Sequence, residues 1–189
     1  MNCAASPDSS ILSLNRTIAL VGLMGVGKST VGRRLATRLG LPFVDGDHEI
    51  ESAAGMTVSE IFSTRGEGEF RAGEARVMKR VLEGPPIVLA TGGGAMMNAE
   101  TRALLKANAV TVWMRADLEV LAERVGRRDT RPLLRNRNTL EVLRELSQKR
   151  YPIYAETDLT VDVGVGSHGA AVELMLQELR RYAQARAGE

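Results

Sequence analysis

Residues 22–29 read Gly-Leu-Met-Gly-Val-Gly-Lys-Ser, and this stretch constrains the chain more than any other. It has the spacing Gly-x-x-x-x-Gly-Lys-Ser. Thr17–Leu23 leads into it as a short β-branched and apolar run. Residues 28–39 follow, with Val31, Leu35 and Leu39 at helical spacing. A strand, a glycine loop and a helix in that order make an anion cradle. The glycines let the backbone fold around an anion and turn its N–H groups inward. The helix start adds the positive end of its dipole. Lys28 can reach the β- and γ-phosphates of a nucleotide, and the Ser29 hydroxyl suits Mg²⁺. A chance match arises in about one chain in a hundred of this length at ordinary residue usage.

The rest of the chain agrees with an α/β fold. Short apolar runs at Leu41–Asp45, Ile87–Ala90, Ala109–Met114 and Leu159–Val163 alternate with amphipathic stretches. Five short strands separated by helices predict a five-stranded parallel sheet in a three-layer α/β/α arrangement, the P-loop NTPase class of the nucleoside-monophosphate-kinase type. Thr57-Val58-Ser59-Glu60 predicts a helix start by a capping box. Asp117 predicts another, and a helix is expected over about 139–150. Residues 1–16 are expected to be a disordered extension, and 17–189 a single domain. In such a sheet, ligands bind beyond the carboxyl ends of the strands.

The clusters after the strands can be read against that rule. Asp45 and Asp47 follow the second run, two residues apart and on one side of an extended chain. Such a pair can position Mg²⁺ and accept a hydroxyl proton, or it can be a solvated turn that caps the next helix. Gly92-Gly93-Gly94 follows the third run and admits close approach of a ligand to main chain, or is a flexible turn. Arg124, Arg127, Arg128, Arg131, Arg135 and Arg137 suit a mobile lid over about 124–138 that brings arginine to a transferring phosphoryl group. Most of the six can equally be solvated surface.

Composition narrows the alternatives. Net charge is only +2 and aromatics are 4%, which argues against a nucleic-acid surface. No guanine-reading Asn/Thr-Lys-x-Asp motif occurs, so a GTPase is excluded. The third strand ends in Thr-Gly-Gly-Gly rather than in adjacent acids, unlike a motor or transporter ATPase. The only cysteine is Cys3, and no apolar run approaches the ~20 residues that span a bilayer. A cytoplasmic, monomeric protein without membrane or nucleic-acid partners is expected. His48 and His168 are expected to be exposed, and Trp113 to be core.

Taken together, these segments resemble the shikimate kinase family. The likeness runs over about 17–163. It is carried by Gly22–Thr30, Phe43-Val44-Asp45-Gly46-Asp47, Gly66-Glu67-x-x-Phe70-Arg71-x-x-Glu74, Gly92-Gly93-Gly94, Arg131-Pro132-Leu133-Leu134 and Arg150-x-x-x-Tyr154. The resemblance implies phosphorylation of the shikimate 3-hydroxyl by ATP and Mg²⁺. It implies that Gly25, Val26, Gly27, Lys28, Ser29 and Thr30 hold the ATP phosphates, with Ser29 and Asp45 toward the metal. Lys28, Asp47 and Arg131 become the catalytic candidates. Asp47, Arg71, Gly93 and Arg150 become substrate contacts, the two arginines clamping a carboxylate. Arg124 and Arg131 are implied to contact ATP, Arg124 near the adenine. The stretch 163–168, where the family often contacts adenine, lacks an arginine or proline here. Another small-metabolite kinase of the same architecture, such as a gluconate kinase, is the main alternative. A nucleotide-dependent nucleic-acid or regulatory protein is the alternative from another class.

Overall fold

The computed structural model describes residues 8–126, 138–164 and 166–188. The chain opens with a short helix α1 (Ser9–Leu12), then β1 (Thr17–Val21), α2 (Lys28–Leu39), β2 (Phe43–Asp45) and α3 (Gly46–Ala54). The long α4 (Val58–Leu82) precedes β3 (Val88–Ala90), a 3₁₀ turn at Ala95–Met97 and α5 (Ala99–Asn108). β4 (Ala109–Arg115), α6 (Leu118–Gly126), α7 (Thr139–Tyr154), β5 (Leu159–Asp162) and α8 (His168–Ala187) complete it.

The five strands form one parallel sheet in the order β2-β3-β1-β4-β5. Helices cover both faces. β1 is buried along its whole length, as a continuous apolar run requires in a parallel sheet covered on both sides. The chain winds to one side of β1 through β2 and β3, then to the other through β4 and β5. The carboxyl end of β1 is therefore the switch point of the sheet, and residues 22–29 begin there.

The expected fold class holds, and each predicted strand lies within two residues of its predicted bounds. The capping box is present: the Thr57 hydroxyl accepts from Glu60 N–H while the Glu60 carboxylate accepts from Thr57 N–H. α4 breaks its helical geometry only at Gly66, where φ is 80°. α7 runs four residues past its expected end, through Pro152 in its last turn.

The expected disordered extension over 1–16 does not hold for residues 8–16. Ile11 is 3% exposed in the main core, and α1 packs on α8. Burying such a side chain contributes about 2 kcal/mol, enough to offset the ordering of one or two residues. Asp8 pairs with Arg180 of α8. Arg16 donates from Nη2 to the carbonyls of Lys106, Ala107 and Ala109, each at 2.9 Å, which satisfies the carboxyl end of α5.

Candidate active site

The loop between β1 and α2 takes the shape its glycines allow. Gly25 and Gly27 have φ of 81° and 96°, a left-handed region that side-chain-bearing residues rarely adopt. At Gly25 a Cβ would also stand 2.5 Å from Val125 Cγ2 of α6. α2 begins directly at Lys28 with no side-chain cap. The first-turn amides of Lys28, Ser29 and Thr30 are thus left to face the loop. The Lys28 ammonium donates to the Gly22 and Leu23 carbonyls at 2.7 and 3.1 Å, which holds it over the loop mouth.

Asp45 ends β2, two strands from β1. Its Oδ2 accepts from Ser29 Oγ at 2.6 Å, and its Oδ1 accepts from Asp47 N–H at 3.2 Å, which caps α3. Asp45 thus caps α3, as the turn reading has it, and it also hydrogen-bonds to the phosphate loop. One hydroxyl and one carboxylate suit Mg²⁺, which keeps several waters and takes its other ligands from phosphates. No cluster of three or more metal-ligating His, Cys, Asp or Glu occurs among the described residues.

The glycine turn after β3 joins the loop to a second cluster. Thr91 anchors the turn, with both its amide and its hydroxyl donating to the Leu20 carbonyl of β1 at 3.1 and 2.8 Å. Gly92 permits a close approach of two acids to the turn. A Cβ there would lie 2.6 Å from Asp47 Oδ1 and 3.3 Å from Glu74 Oε1. The Gly93 carbonyl accepts from Arg150 Nη1 at 2.7 Å and from the Tyr154 hydroxyl. A Cβ on Gly93 would be 3.6 Å from the Gly22 carbonyl oxygen and 3.8 Å from Met24 N, so the turn touches the phosphate loop itself. A Cβ on Gly94 would collide with the Arg71 guanidinium. Lys28, Asp47, Arg71, Gly93 and Arg150 are thereby brought to one end of the sheet.

Arg71 is oriented by two acids of its own helix. Its Nη1 donates to Glu74 Oε2 at 2.7 Å, and its Nε and Nη2 approach Glu67 Oε1 at 3.4 and 3.3 Å. The Glu74 side chain is only 1% exposed, and its Oε1 has no hydrogen-bond partner. Burial pushes its carboxyl pKa up against the pull of Arg71, and the charge of Asp47 adds to the rise. Burial likewise pushes Tyr154 up to about 12, so its hydroxyl stays protonated and donates to Gly93. Glu74 and Tyr154 had no role assigned by residue pattern alone. For Glu74 the signal lay in its spacing three residues after Arg71, which puts the two side chains together on a helix.

The buried carboxyl gives a pH-dependent expectation. The folded protein holds the Glu74 proton more tightly than the unfolded chain does. Stability therefore falls as pH rises from the ordinary glutamate value, about 4.3, through the raised one, and stays lower above it. Glu74→Gln removes this loss. Urea midpoints measured from about pH 4 to about pH 8 should shift in favour of the variant as pH rises. A wild-type-to-variant difference that stayed constant over that range would contradict the assignment.

Arg124 donates from Nη2 to the Gly164 carbonyl at 3.1 Å, bridging α6 to the β5–α8 connection. His168 is exposed, as expected, yet it borders the phosphate loop: its Nε2 lies 3.6 Å from the place of a Gly27 Cβ. His48 is exposed, and Trp113 is core beside Tyr151 and Tyr154. Arg131, with Arg127, Arg128, Arg135 and Arg137, lies outside the described residues, and so does most of the expected lid.

A phosphate loop at the switch point of a parallel sheet, facing a pocket with two acids and two arginines, defines the class: a P-loop phosphotransferase for a small anionic acceptor. Comparison with known proteins narrows it. The shikimate kinase family matches residues 24–180. The shikimate kinase of Caulobacter vibrioides is 58% identical over 166 residues, covering 88% of this chain and 83% of that protein. That of Bradyrhizobium diazoefficiens is 53% identical over 180 residues, covering 94% and 87%. The solved shikimate kinase from Acinetobacter baumannii in complex with shikimate superposes with a TM-score of 0.85 at 38% identity, covering 90% of this chain and 96% of that one. The chain belongs to the shikimate kinase family. A gluconokinase from Sinorhizobium meliloti, at 21% identity and a TM-score of 0.63, shares the fold.

Proposed function

We propose that this protein transfers the γ-phosphoryl group of ATP to the 3-hydroxyl of shikimate, giving shikimate 3-phosphate and ADP. The observation that carries the reading is the Gly92–Gly94 turn. It touches the phosphate loop at Gly22 and Met24, and it also meets Asp47, Arg71 and Arg150. An acceptor held by the second group is therefore adjacent to a phosphate held by the first.

In this reading the amides of residues 25–30 and Lys28 hold the phosphates. Arg71 and Arg150 clamp the carboxylate of the acceptor with planar, charge-assisted forks. Glu74 keeps Arg71 aimed, and the Gly93 main chain lines the sugar-like ring. Asp47 orients the 3-hydroxyl and takes its proton as the oxygen bonds to the γ-phosphorus. The bond from that phosphorus to the β–γ bridging oxygen breaks, and the electron pair leaves with ADP. Charge moves onto the bridging oxygen during transfer, and Lys28 is placed to meet it. Ser29 and Asp45 would hold Mg²⁺, which neutralises phosphate charge when bound. Arg124 and His168 flank the side of the loop where the adenine is assigned, and Arg131 is assigned to the transferring group. The chain from residue 8 onward is assigned to one domain that works as a cytoplasmic monomer. No described helix is long and apolar enough to cross a membrane.

One coupled assay tests this. With ATP and Mg²⁺, ADP should form with shikimate as acceptor and not with gluconate or nucleoside monophosphates. ADP release with gluconate alone would replace the proposal by the sugar-acid alternative.

A further inference from the structure

A second cavity lies between α3 and α4, away from the phosphate loop. Its volume is about 310 Å³, at the lower end of small-molecule sites, which run from about 300 to 1,000 Å³. Ile50, Ile61, Phe70 and Val77 form an apolar floor, all buried. The hollow exists because Ala53, Ala54 and Gly73 stand where larger side chains would fill it. Around a Cβ built on Gly73 no atom lies within 4 Å.

Its α4 wall is one helical row: Glu69, Gly73, Arg76 and Arg80. Arg71 lies about half a turn round the same helix, on the face toward the glycine turn. The cavity and the acceptor pocket thus occupy opposite faces of α4.

The rim is cationic. Arg65, Arg76 and Arg80 face one acid, Glu69. Arg80 pairs with Glu49 at 3.0 Å, whereas Arg65 and Arg76 have no carboxylate partner among the described residues. Arg76 and Arg80 are also like charges four apart on a helix, and of the two only Arg80 is met by a carboxylate among the described residues. An apolar floor under unpaired guanidinium groups selects one ligand chemistry: a small carboxylate with an apolar ring. The ring replaces water over Phe70 and Val77, and the carboxylate takes the arginine forks.

Phe70 ties the cavity to the acceptor pocket. Its ring forms part of the floor, lies 4.5 Å from the Phe62 ring and 5.0 Å from Arg71 Cζ, and directly precedes Arg71 in the chain. We propose that the α3–α4 cavity is a second, regulatory site for a small ring-bearing carboxylate, and that its occupancy changes acceptor affinity through Phe70 and Arg71. The coupling rests on the acceptor assignment above, whereas the cavity's own binding does not.

The probe is 3-phenylpropionate, with the neutral 3-phenylpropanol as control, added to the full chain. Calorimetry with ADP and shikimate at saturation keeps the probe out of the active site. One saturable site is expected, weaker for the alcohol. Arg76→Ala should weaken it about tenfold through loss of a charge-assisted contact. Gly73→Leu should abolish it by filling the cavity, and neither variant should alter kcat. In the kinase assay the probe should shift the shikimate KM and leave the ATP KM unchanged. Absence of saturable binding, or binding indifferent to both substitutions, overturns the site. Binding without a shift in shikimate KM overturns the coupling. If shikimate proves not to be an acceptor, calorimetry with ADP alone still decides the site.

Discussion

Lys28→Ala is expected to lower kcat by about 10³-fold while changing the shikimate KM by less than about threefold. The Lys28 ammonium stands at the mouth of the loop, held by the Gly22 and Leu23 carbonyls. The amides of the first turn of α2 remain when it is removed, so phosphates can still be held. What disappears is the loop's own ammonium, placed to meet negative charge as it moves onto the bridging oxygen. An interaction stronger in the transition state than in the ground state appears in kcat, because substrate binding is left nearly intact. Lys28→Arg should not rescue, since a planar fork does not replace a compact ammonium inside a tight loop. Steady-state kinetics with ATP and shikimate varied separately provide the check. A variant with normal kcat and only a raised ATP KM would show that Lys28 binds ground and transition states alike.

Arg150→Ala should do the reverse: the shikimate KM rises about 100-fold and kcat falls less than about tenfold. Truncating one partner of a desolvated, hydrogen-bonded charge pair costs roughly 2–5 kcal/mol, and each 1.4 kcal/mol is about a factor of ten. A carboxylate is no more charged in the transition state than before it, so its clamp contributes uniform binding. Some loss of kcat is expected as well, because Arg150 also holds the Gly93 carbonyl. Tyr154→Phe separates the two effects. It removes the other donor to Gly93 and leaves both arginines in place. If Tyr154→Phe raised the shikimate KM as much as Arg150→Ala, the arginine would act by shaping the turn rather than by binding a carboxylate.

The site was legible in the sequence to the extent that its parts are local. The phosphate loop, the capping box at Thr57 and Glu60, and the acids after β2 each depend on a few consecutive residues. Glu74 was harder to read. A glutamate among so many charged residues reads as surface, and only packing against Gly92 and Asp47 makes it a buried acid with an unpartnered oxygen. Residues 8–16 misled for the opposite reason. A polar leader with one short apolar cluster reads as disordered until α8 offers Ile11 a surface to bury against. α7 runs past residue 150 because Tyr154, in its last turn beyond Pro152, is buried in the core.

By itself, then, the sequence determined the loop at 22–29. Its glycines, its lysine and the helix start act through backbone geometry within a single turn, whatever surrounds them. Tertiary structure decided what that loop faces. Arg71 and Arg150 lie on different helices and far apart in the chain. They meet at the glycine turn because the strand order places β3 directly beside β1, which brings the turn after β3 against the phosphate loop. Local chemistry makes a phosphate cradle, and the order of strands in the sheet gives it an acceptor.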